Sequence, residues 1–226
     1  MILRQILIFL TTLTLCISSQ AQVLKDSVTQ DHRFRIGLDI LKLFSAALKE
    51  SGQDYKTRNK IEVVGAYKIN PHFYFCLDGG YGKGTQSEYQ GVLRYISQGF
   101  YVKPGFDINT LSRVNKGTPN FELLIGYRLG LSSFNENVKY VFTSKFWETE
   151  FVETEEQYKS TQHWHEVLFT FRSNFMRNKA TGLSTGVTLR TRIKPNKSEH
   201  TQLFIPGYGG NNGMNFALNW DVSLLF

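Results

Sequence analysis

The amino-acid sequence predicts an all-β fold: an eight-stranded, antiparallel, up-and-down β-barrel that crosses a membrane. Three observations predict it: an export signal, a set of segments that alternate between apolar and polar residues, and an uninterrupted last segment. In that last segment every second residue from Phe216 to Phe226 is apolar, and the residues between them from Asn215 to Ser223 are polar or small. This pattern is typical of a strand with one side in an apolar environment.

The first 21 residues are interpreted as a cleaved signal peptide. Arg4 is their only charged residue, an apolar run follows it, and Ser19-Gln20-Ala21 places small residues where a signal peptidase reads. The stretch is too short for a membrane-spanning helix, and Leu15 before Cys16 does not fit a lipoprotein signal. We therefore expect cleavage near Ala21, a periplasmic lead-in over residues 22–32, and a barrel over residues 33–226 in a Gram-negative outer membrane.

Composition excludes several other classes of protein. After cleavage Cys76 is the only cysteine, so an internal disulfide is excluded. The formal charge of +7 falls by one with Arg4 and is spread along the chain, which does not favour nucleic acid as a partner. We expect contacts with outer-membrane lipid and with the machinery that inserts barrels, and we expect no cofactor. A surface ligand or protein partner is left open.

Seven further segments alternate in the same way as the last one and complete an even number of strands, as bacterial single-chain barrels require. Pro104 lies inside the fourth of these eight segments and cannot donate to a ladder, so a bulge is expected there. The eight predicted strands are Arg33–Leu43, Lys60–Ile69, Phe73–Tyr81, Val92–Ile108, Phe121–Leu131, Trp164–Phe175, Leu183–Ile193 and Met214–Phe226.

The connections between these segments alternate in length. Long outer loops are expected at Ser45–Asn59, Gly84–Gln90, Phe134–His163 and Pro195–Gly213. Short turns are expected at Asn70-Pro71 and Arg177–Ala180, with Asn109–Asn120 as an intermediate exception. Long loops outside and short turns in the periplasm are the outer-membrane pattern. The third loop is predicted to continue its strands as a β-ribbon, and the glycine-rich segment from Pro206 to Gly213 is predicted to be a flexible loop.

The polar faces of the predicted strands carry nearly balanced charge. An eight-stranded barrel is filled by side chains, and a buried charge without a partner costs several kcal/mol. Six cations and seven anions assigned inward therefore predict a plugged, ion-paired lumen instead of a channel. The network consists of Arg35, Asp39, Glu62, Asp78, Lys103, Asp107, Glu122, Arg128, Glu166, Arg172, Arg190, Arg192 and Asp221.

Aromatic residues are predicted to mark the outward surface. Tyr67, Tyr81, Tyr127, Trp164 and Trp220 lie on or near outward faces, where such rings form girdles at the two membrane interfaces. In the last strand, Trp220 and the final residue Phe226 are expected to serve as the signal that the insertion machinery recognises.

The chain resembles an uncharacterised family of Bacteroidota outer-membrane β-barrel proteins, a domain of unknown function. The resemblance covers essentially the whole mature chain and implies a fold and a location, but no activity. It rests on the motifs Phe34-Arg35-Ile36-Gly37-Leu38-Asp39, Tyr67-Lys68-Ile69, Tyr101-Val102-Lys103-Pro104-Gly105-Phe106-Asp107, Gly126-Tyr127-Arg128-Leu129-Gly130 with Ser132-Ser133-Phe134, Thr161-Gln162-His163-Trp164-His165-Glu166 and Ile205-Pro206-Gly207-Tyr208-Gly209.

The favoured interpretation is a structural or surface-interaction protein with no catalytic residues. His163 and His165 share one face of the sixth strand and are weak candidates for binding a metal ion, with no third ligand apparent. A second hypothesis is a lipid A-modifying hydrolase at the rim, which needs a Ser, a His and a carboxylate within hydrogen-bond reach. Its candidate residues are Ser132, Ser133, Ser160, His163 and Glu166.

A third hypothesis is a soluble, periplasmic, lipocalin-like binding barrel. In such a protein the apolar faces of the strands would point inward around a ligand, and the balanced charges would lie in water. The alternation of apolar and polar residues is the same in both cases, so the direction of the two faces separates this hypothesis from the membrane barrel.

Overall fold

A computed structural model describes residues 32–47, 56–89, 92–113, 121–143, 151–175, 181–194, 202–210 and 214–226. In this part of the chain, eight strands form one antiparallel sheet that closes on itself. The predicted signal peptide, the lead-in except for His32, and the turn at residues 177–180 lie outside the described residues. No helix within the described ranges is long and apolar enough to cross a membrane.

Each strand of the closed sheet pairs with its neighbour in sequence, and the last strand closes the sheet against the first. The structure confirms the all-β class and the eight antiparallel strands. The eight are β1 (Phe34–Asp39), β2 (Lys56–Asn70), β3 (Phe73–Tyr89), β4 (Val92–Asn109), β5 (Phe121–Thr143), β6 (Phe151–Phe175), β7 (Gly182–Ile193) and β10 (Met214–Leu225). The other elements are helix α1 (Ile40–Ala47), a 3-10 helix (Thr110–Arg113) and the two-residue strands β8 (Phe204–Ile205) and β9 (Gly209–Gly210).

Large apolar side chains point outward and are exposed on all eight strands of the closed sheet. Charged and polar side chains alternate with them and are buried in the interior, because successive residues of a strand face opposite sides. We call the exposed set the apolar belt. Its members are Phe34, Ile36, Leu38, Ile61, Val63, Ile69, Phe73, Phe75, Leu77, Phe100, Val102, Phe106, Ile108, Ile125, Leu131, Val167, Phe169, Phe171, Leu189, Ile193, Met214, Phe216, Leu218 and Leu224.

The first strand is shorter than predicted, because a helix replaces its second half. Strand β1 ends at Asp39, and α1 begins at Ile40 instead of the strand continuing to Leu43. The side chain of Asp39 accepts a hydrogen bond of 3.2 Å from the backbone N–H of Lys42. An aspartate that binds an N–H in the first turn is a favourable N-cap, and this contact starts the helix.

Strands β3, β5 and β6 continue well beyond the predicted limits, so two predicted loops are mostly strand. For β5 and β6 this agrees with the β-ribbon predicted in the third loop. Residues 84–89 belong to β3, and β5 and β6 remain paired up to Thr143 opposite Phe151. Outward positions in this part, such as Asn135 and Asn137, are polar, whereas the inward Phe134 and Val138 are apolar and buried. The alternation is therefore inverted relative to the apolar belt, which ends the outward apolar signal. We call the portion of β3 to β6 beyond the apolar belt the extension.

The bulge predicted at Pro104 is absent. Pro104 lies directly opposite Leu77 of β3, and β4 keeps one register with β5 on both sides of it, from Val102 opposite Leu131 to Gly105 opposite Arg128. The missing N–H of a proline removes one ladder donor, but it does not require an extra residue in the strand.

The β2–β3 turn depends on the side chain of Asn70. Its Oδ1 accepts hydrogen bonds from the backbone N–H groups of His72 at 2.8 Å and Phe73 at 2.9 Å. Replacing Asn70 with alanine removes both acceptors and is expected to lower the free energy of unfolding by about 1 kcal/mol. The urea midpoint of unfolding measures this. Asn70→Asp keeps the acceptor and should stay close to wild type, and equal losses in both variants would contradict the assignment.

Candidate functional site

The interior of the closed sheet contains a continuous network of charged side chains. The structure places all thirteen residues of the predicted lumen network there, each with at most 8% of its surface exposed. Each of them lies within 3.4 Å of an opposite charge. The inward faces of the strands thus bring together residues that are far apart in the sequence.

Glu62 on β2 lies at the centre of this network. Its carboxylate is 2.6 Å from the Nζ of Lys42, 2.8 Å from the Nζ of Lys103 and 3.2 Å from a guanidinium nitrogen of Arg190. The hydroxyl of Tyr101 donates a further hydrogen bond of 2.8 Å. One fully buried carboxylate is therefore shared by three cations, which also contact other carboxylates of the network.

Glu166 on β6 is a second centre and shares cations with Glu62. Its carboxylate is 3.2 Å from Arg190 and 3.0 Å from Arg192. The indole N–H of Trp164 donates to it at 2.8 Å. The Nζ of Lys103 lies 3.7 Å from the Glu166 carboxylate and so bridges Glu166 and Glu62. The arrangement leaves each carboxylate with several donors, which is what a buried charge requires.

The remaining ion pairs fill the interior toward the β2–β3 turn. Arg128 binds Asp107 with two hydrogen bonds of 2.6 and 3.0 Å, and the thiol of Cys76 donates to the same carboxylate at 3.2 Å. Arg172 binds both carboxylate oxygens of Asp221 at 2.9 Å. Such bidentate pairs fix the geometry of both partners. Farther toward the turn, Arg35 pairs with Glu122 at 3.4 Å. Asp78 lies 3.5 Å from Arg128 and 3.3 Å from Arg190, and so links these pairs to the centre of the network.

Lys42 belongs to this network, although its charge was not among those predicted. It is placed by α1, and its ammonium group lies 3.1 Å from Asp39 as well as 2.6 Å from Glu62. Together with the six predicted cations it matches the seven predicted anions. The sequence contained one indication of this position. The two consecutive apolar residues Ile40-Leu41 break the alternation of the first strand, so strand parity no longer applies to Lys42.

The end of the interior next to the extension is covered by residues 202–210, which we call the inward hairpin. Ile205 and Tyr208 are buried in one apolar cluster with Tyr101, Phe134 and Trp164. This segment was predicted to be a flexible loop, and that prediction was wrong for the described residues. Three large apolar residues in the segment, Phe204, Ile205 and Tyr208, reach a matching set of inward aromatic residues, so the hairpin gains burial by folding inward.

Glycines make room for the inward hairpin. A methyl group at Gly84 would lie 2.5 Å from the ring of Phe204, and one at Gly82 would lie 3.2 Å from Pro206. Gly207 has a φ of +83°, a conformation that glycine adopts without strain. Two inward positions of β3 and one turn position of the hairpin are therefore suited to close packing only as glycine.

Polar contacts hold the inward hairpin to the wall. The hydroxyl of Tyr95 hydrogen-bonds the Glu136 carboxylate and lies 3.3 Å from the carbonyl oxygen of Phe204. Burial, together with the neighbouring Glu136 charge, raises the pKa of the Tyr95 phenol, so it stays a donor even in alkaline solution. Arg192 donates to the carbonyl oxygen of Tyr208 at 2.7 Å, which links the hairpin to the charged network.

Replacing Phe204 with alanine is expected to loosen the inward hairpin. The buried ring packs against the bare backbone of Gly84, and deleting a buried Phe ring costs about 3–5 kcal/mol. If the hairpin opens on its own, its amide hydrogens should exchange at least about 100-fold faster, while those of the strands stay protected. Hydrogen exchange with peptide-level detection measures this. The control is Phe216→Ala, which removes an outward ring that is 76% exposed. Unchanged exchange at residues 202–210 in Phe204→Ala would contradict the packing.

Both candidate metal ligands lie on the outward side of the sheet, whereas the residues of the enzyme hypothesis are divided between its two sides. His163 points outward and is exposed, and His165 points outward with its Nδ1 2.5 Å from the hydroxyl of Tyr127. Ser160 points inward, where its hydroxyl donates to Glu136 at 2.9 Å. Ser132 and Glu166 also point inward, whereas Ser133 points outward. The sheet thus separates His163 from Ser160, Ser132 and Glu166. Within the described residues, no group of three or more His, Cys, Asp or Glu side chains could hold a metal ion.

Of the five aromatic residues predicted to face outward, Trp164 does not. It is 1% exposed and points inward, because it shares the parity of Glu166 on β6. Tyr67, Tyr81, Tyr127 and Trp220 are half-buried on the outward side. Trp220 donates its indole N–H to Thr185 at 2.7 Å, and the Phe226 side chain is exposed. Their role as an insertion signal stays a prediction.

A model of a protein family matches residues 1–226, which is the whole chain. Its description is Domain of unknown function (DUF6048). A comparison with curated proteins finds no match.

Proposed function

We propose that this chain, which belongs to the family described as Domain of unknown function (DUF6048), is an outer-membrane β-barrel of structural or surface-interaction role. It would be a barrel of the Bacteroidota type that its sequence resembles. Its interior is plugged by ion pairs, and its extension presents the outer surface of the protein to other molecules.

The apolar belt is the observation that carries this proposal. Soluble proteins rarely expose a contiguous apolar patch larger than a few hundred Å², because each Å² of apolar surface in water costs about 25 cal/mol. Here exposed apolar side chains occur on every strand of the closed sheet, while thirteen charged residues are buried inside it. This distribution is unfavourable in water and favourable in a bilayer. A closed sheet also satisfies every backbone donor and acceptor, which lipid requires.

The height of the apolar belt supports the same proposal. On β5 the outward apolar positions run from Phe121 to Leu131. Ten residue steps of about 3.4 Å span about 34 Å along the strand, or about 26 Å vertically at a tilt of about 40°. The apolar band of outer-membrane barrels is about 25 Å tall. Beyond Leu131 the outward positions Ser133, Asn135 and Asn137 are polar, as expected where the strand leaves the membrane.

The interior favours a structural role over a ligand-binding, lipocalin-like role and over a channel. A lipocalin-like barrel needs an apolar cavity, but the buried side chains along the middle of the strands here are mostly charged or polar. A channel needs an open path, but ion pairs fill the middle and the inward hairpin covers one end. The extension of β3 to β6 is therefore the part of the described chain most suited to contact a partner.

Fractionation of the protein expressed in a Gram-negative host tests the proposal. Membrane-bound material that migrates faster without boiling than after boiling would support an inserted barrel, because a closed sheet stays folded in the detergent of the gel. A soluble periplasmic protein without a heat-dependent shift would overturn it. In planar bilayers, the plugged interior predicts no stable single-channel conductance, and a steady conductance would overturn the structural role.

A further inference from the structure

A groove lies on the outward surface of strands β4, β5 and β6. Its volume is about 530 Å³, and the side chains that form it include Phe100, Leu131, Ser133, Thr161 and His163. The small side chains of Ser133 and Thr161 leave the space between their larger neighbours. Phe100 is 71% exposed, so the groove has an open apolar floor.

The groove lies where the apolar belt meets the extension. Strand pairing aligns Phe100, Ser133 and Thr161 in one row across the three strands. Below this row, toward the β2–β3 turn, the outward residues are the apolar Val102 and Leu131 on β4 and β5, and His163 on β6 beside them. One end of the groove is therefore apolar and the other is polar, as in a site for an amphiphilic molecule.

Each residue of the row directly above the groove has a side-chain N–H donor that suits an anion. Register places Lys83, Gln98, Asn135 and Lys159 side by side on β3 to β6. The two lysines are about 14 Å apart, since neighbouring strands are separated by about 4.8 Å. The hydroxyl of Tyr81 donates to the Oε1 of Gln98 at 3.3 Å, which leaves the amide nitrogen of Gln98 as a donor. No acidic residue lies in this row.

We propose that the groove binds a phosphorylated lipid of the surrounding bilayer. An acyl chain lies along Phe100 and Leu131, and the phosphate lies above Ser133 between Lys83 and Lys159. Cationic side chains on the outward face at the edge of an apolar surface attract anionic head groups, and a phosphate accepts several hydrogen bonds at once. The inference rests on the proposed membrane function, because only an inserted barrel has lipid at this surface.

Native mass spectrometry of the full chain tests the proposal. The protein is extracted in detergent, mixed with equal amounts of phosphatidylglycerol and phosphatidylcholine, and released from the micelle with the lipid it retains. We expect the wild type to retain phosphatidylglycerol about tenfold more than phosphatidylcholine. The double variant Lys83→Gln/Lys159→Gln should lose this preference. Ser133→Trp, which fills the groove, should lower the retention of both lipids.

The control Arg94→Gln/Lys139→Gln removes the same charge from the same face. These residues are paired with each other on β4 and β5, four residues farther from the groove than Gln98 and Asn135. The control should keep the preference for phosphatidylglycerol. Equal loss in both double variants, or full retention in Lys83→Gln/Lys159→Gln, would overturn the site. Displacement of the lipid by an equimolar amount of inorganic phosphate would also overturn it, since the acyl chain would then add nothing to the affinity.

Heat-dependent migration of the same samples separates the two proposals. Wild-type protein that shifts on heating but shows no preference between the two lipids would overturn the lipid site and leave the inserted barrel standing. Protein that neither shifts on heating nor fractionates with membranes would overturn the proposed function on which the lipid site rests.

Discussion

Replacing Glu62 with glutamine is expected to lower the free energy of unfolding by about 3–5 kcal/mol. The variant keeps the size of the side chain and removes its charge. Lys42, Lys103 and Arg190 then lose a carboxylate that lies within 3.2 Å of each of them, in a place where water cannot replace it. The urea concentration at which the heat-sensitive folded band disappears measures the effect, with the folded fraction fitted to a two-state transition.

Two further variants make this prediction specific to the buried charge. Glu155→Gln changes an exposed carboxylate of the extension, which accepts a hydrogen bond from Asn137, and should cost less than about 0.5 kcal/mol. Adding Lys103→Met to Glu62→Gln removes one uncompensated cation. The double variant should therefore lose less free energy of unfolding than the two single variants lose together. Additive losses, or a Glu62→Gln variant as stable as the wild type, would show that Glu62 does not compensate the buried charge of Lys103.

Replacing Gly130 with alanine is expected to lower the free energy of unfolding by about 3 kcal/mol, at the upper end of the range for overpacked cores. A methyl group at this inward position would lie 2.0 Å from the indole ring of Trp164. The ring is fully buried and donates to Glu166, so it cannot move aside without breaking that hydrogen bond. Urea unfolding measures the loss, and faster amide exchange in the inward hairpin would report the displaced ring.

The matched control for this variant is Gly79→Ala, the same substitution on the outward face. There the nearest atom to an added methyl group is a backbone oxygen at 3.6 Å, an ordinary contact. Alanine also costs less conformational freedom than glycine in a strand, so Gly79→Ala should be neutral or slightly stabilising. Similar losses at positions 79 and 130 would mean that Trp164 does not pack flat against β5.

The strands of the apolar belt, and the residues that share each of their faces, could be predicted because a period of two is a local property of the chain. Parity decides which side chains lie on the same face, but it does not decide which face is the interior. Once the apolar face is taken as the outward one, parity assigns Arg35, Lys103 and Asp221 to the interior, where the structure places them. It also indicated the interior for Trp164, which has the parity of Glu166, although the ring itself suggested an interfacial girdle.

Other features could not be predicted, because they depend on contacts between distant residues. The sequence predicted a β-ribbon in the third loop but not its register, since successive residues of β6 such as Ser160 and Thr161 are polar on both faces. The fold of the inward hairpin depends on Phe204 meeting Gly84 on β3, more than 100 residues earlier in the chain. The position of Lys42 depends on an N-cap at Asp39, which starts a helix where the apolar pair Ile40-Leu41 interrupts the strand pattern.

The seam between β1 and β10 has a consequence for the order of assembly. Strand β1 has six residues, and it closes the sheet through five residue pairs, from Arg35 opposite Leu225 to Asp39 opposite Asp221. The two sides of the seam are separated by nearly the whole described chain, and contacts between such distant segments form slowly. All other strands pair with near neighbours in sequence. The seam is therefore expected to close last, and until it does, two unpaired edges remain open to association with other chains.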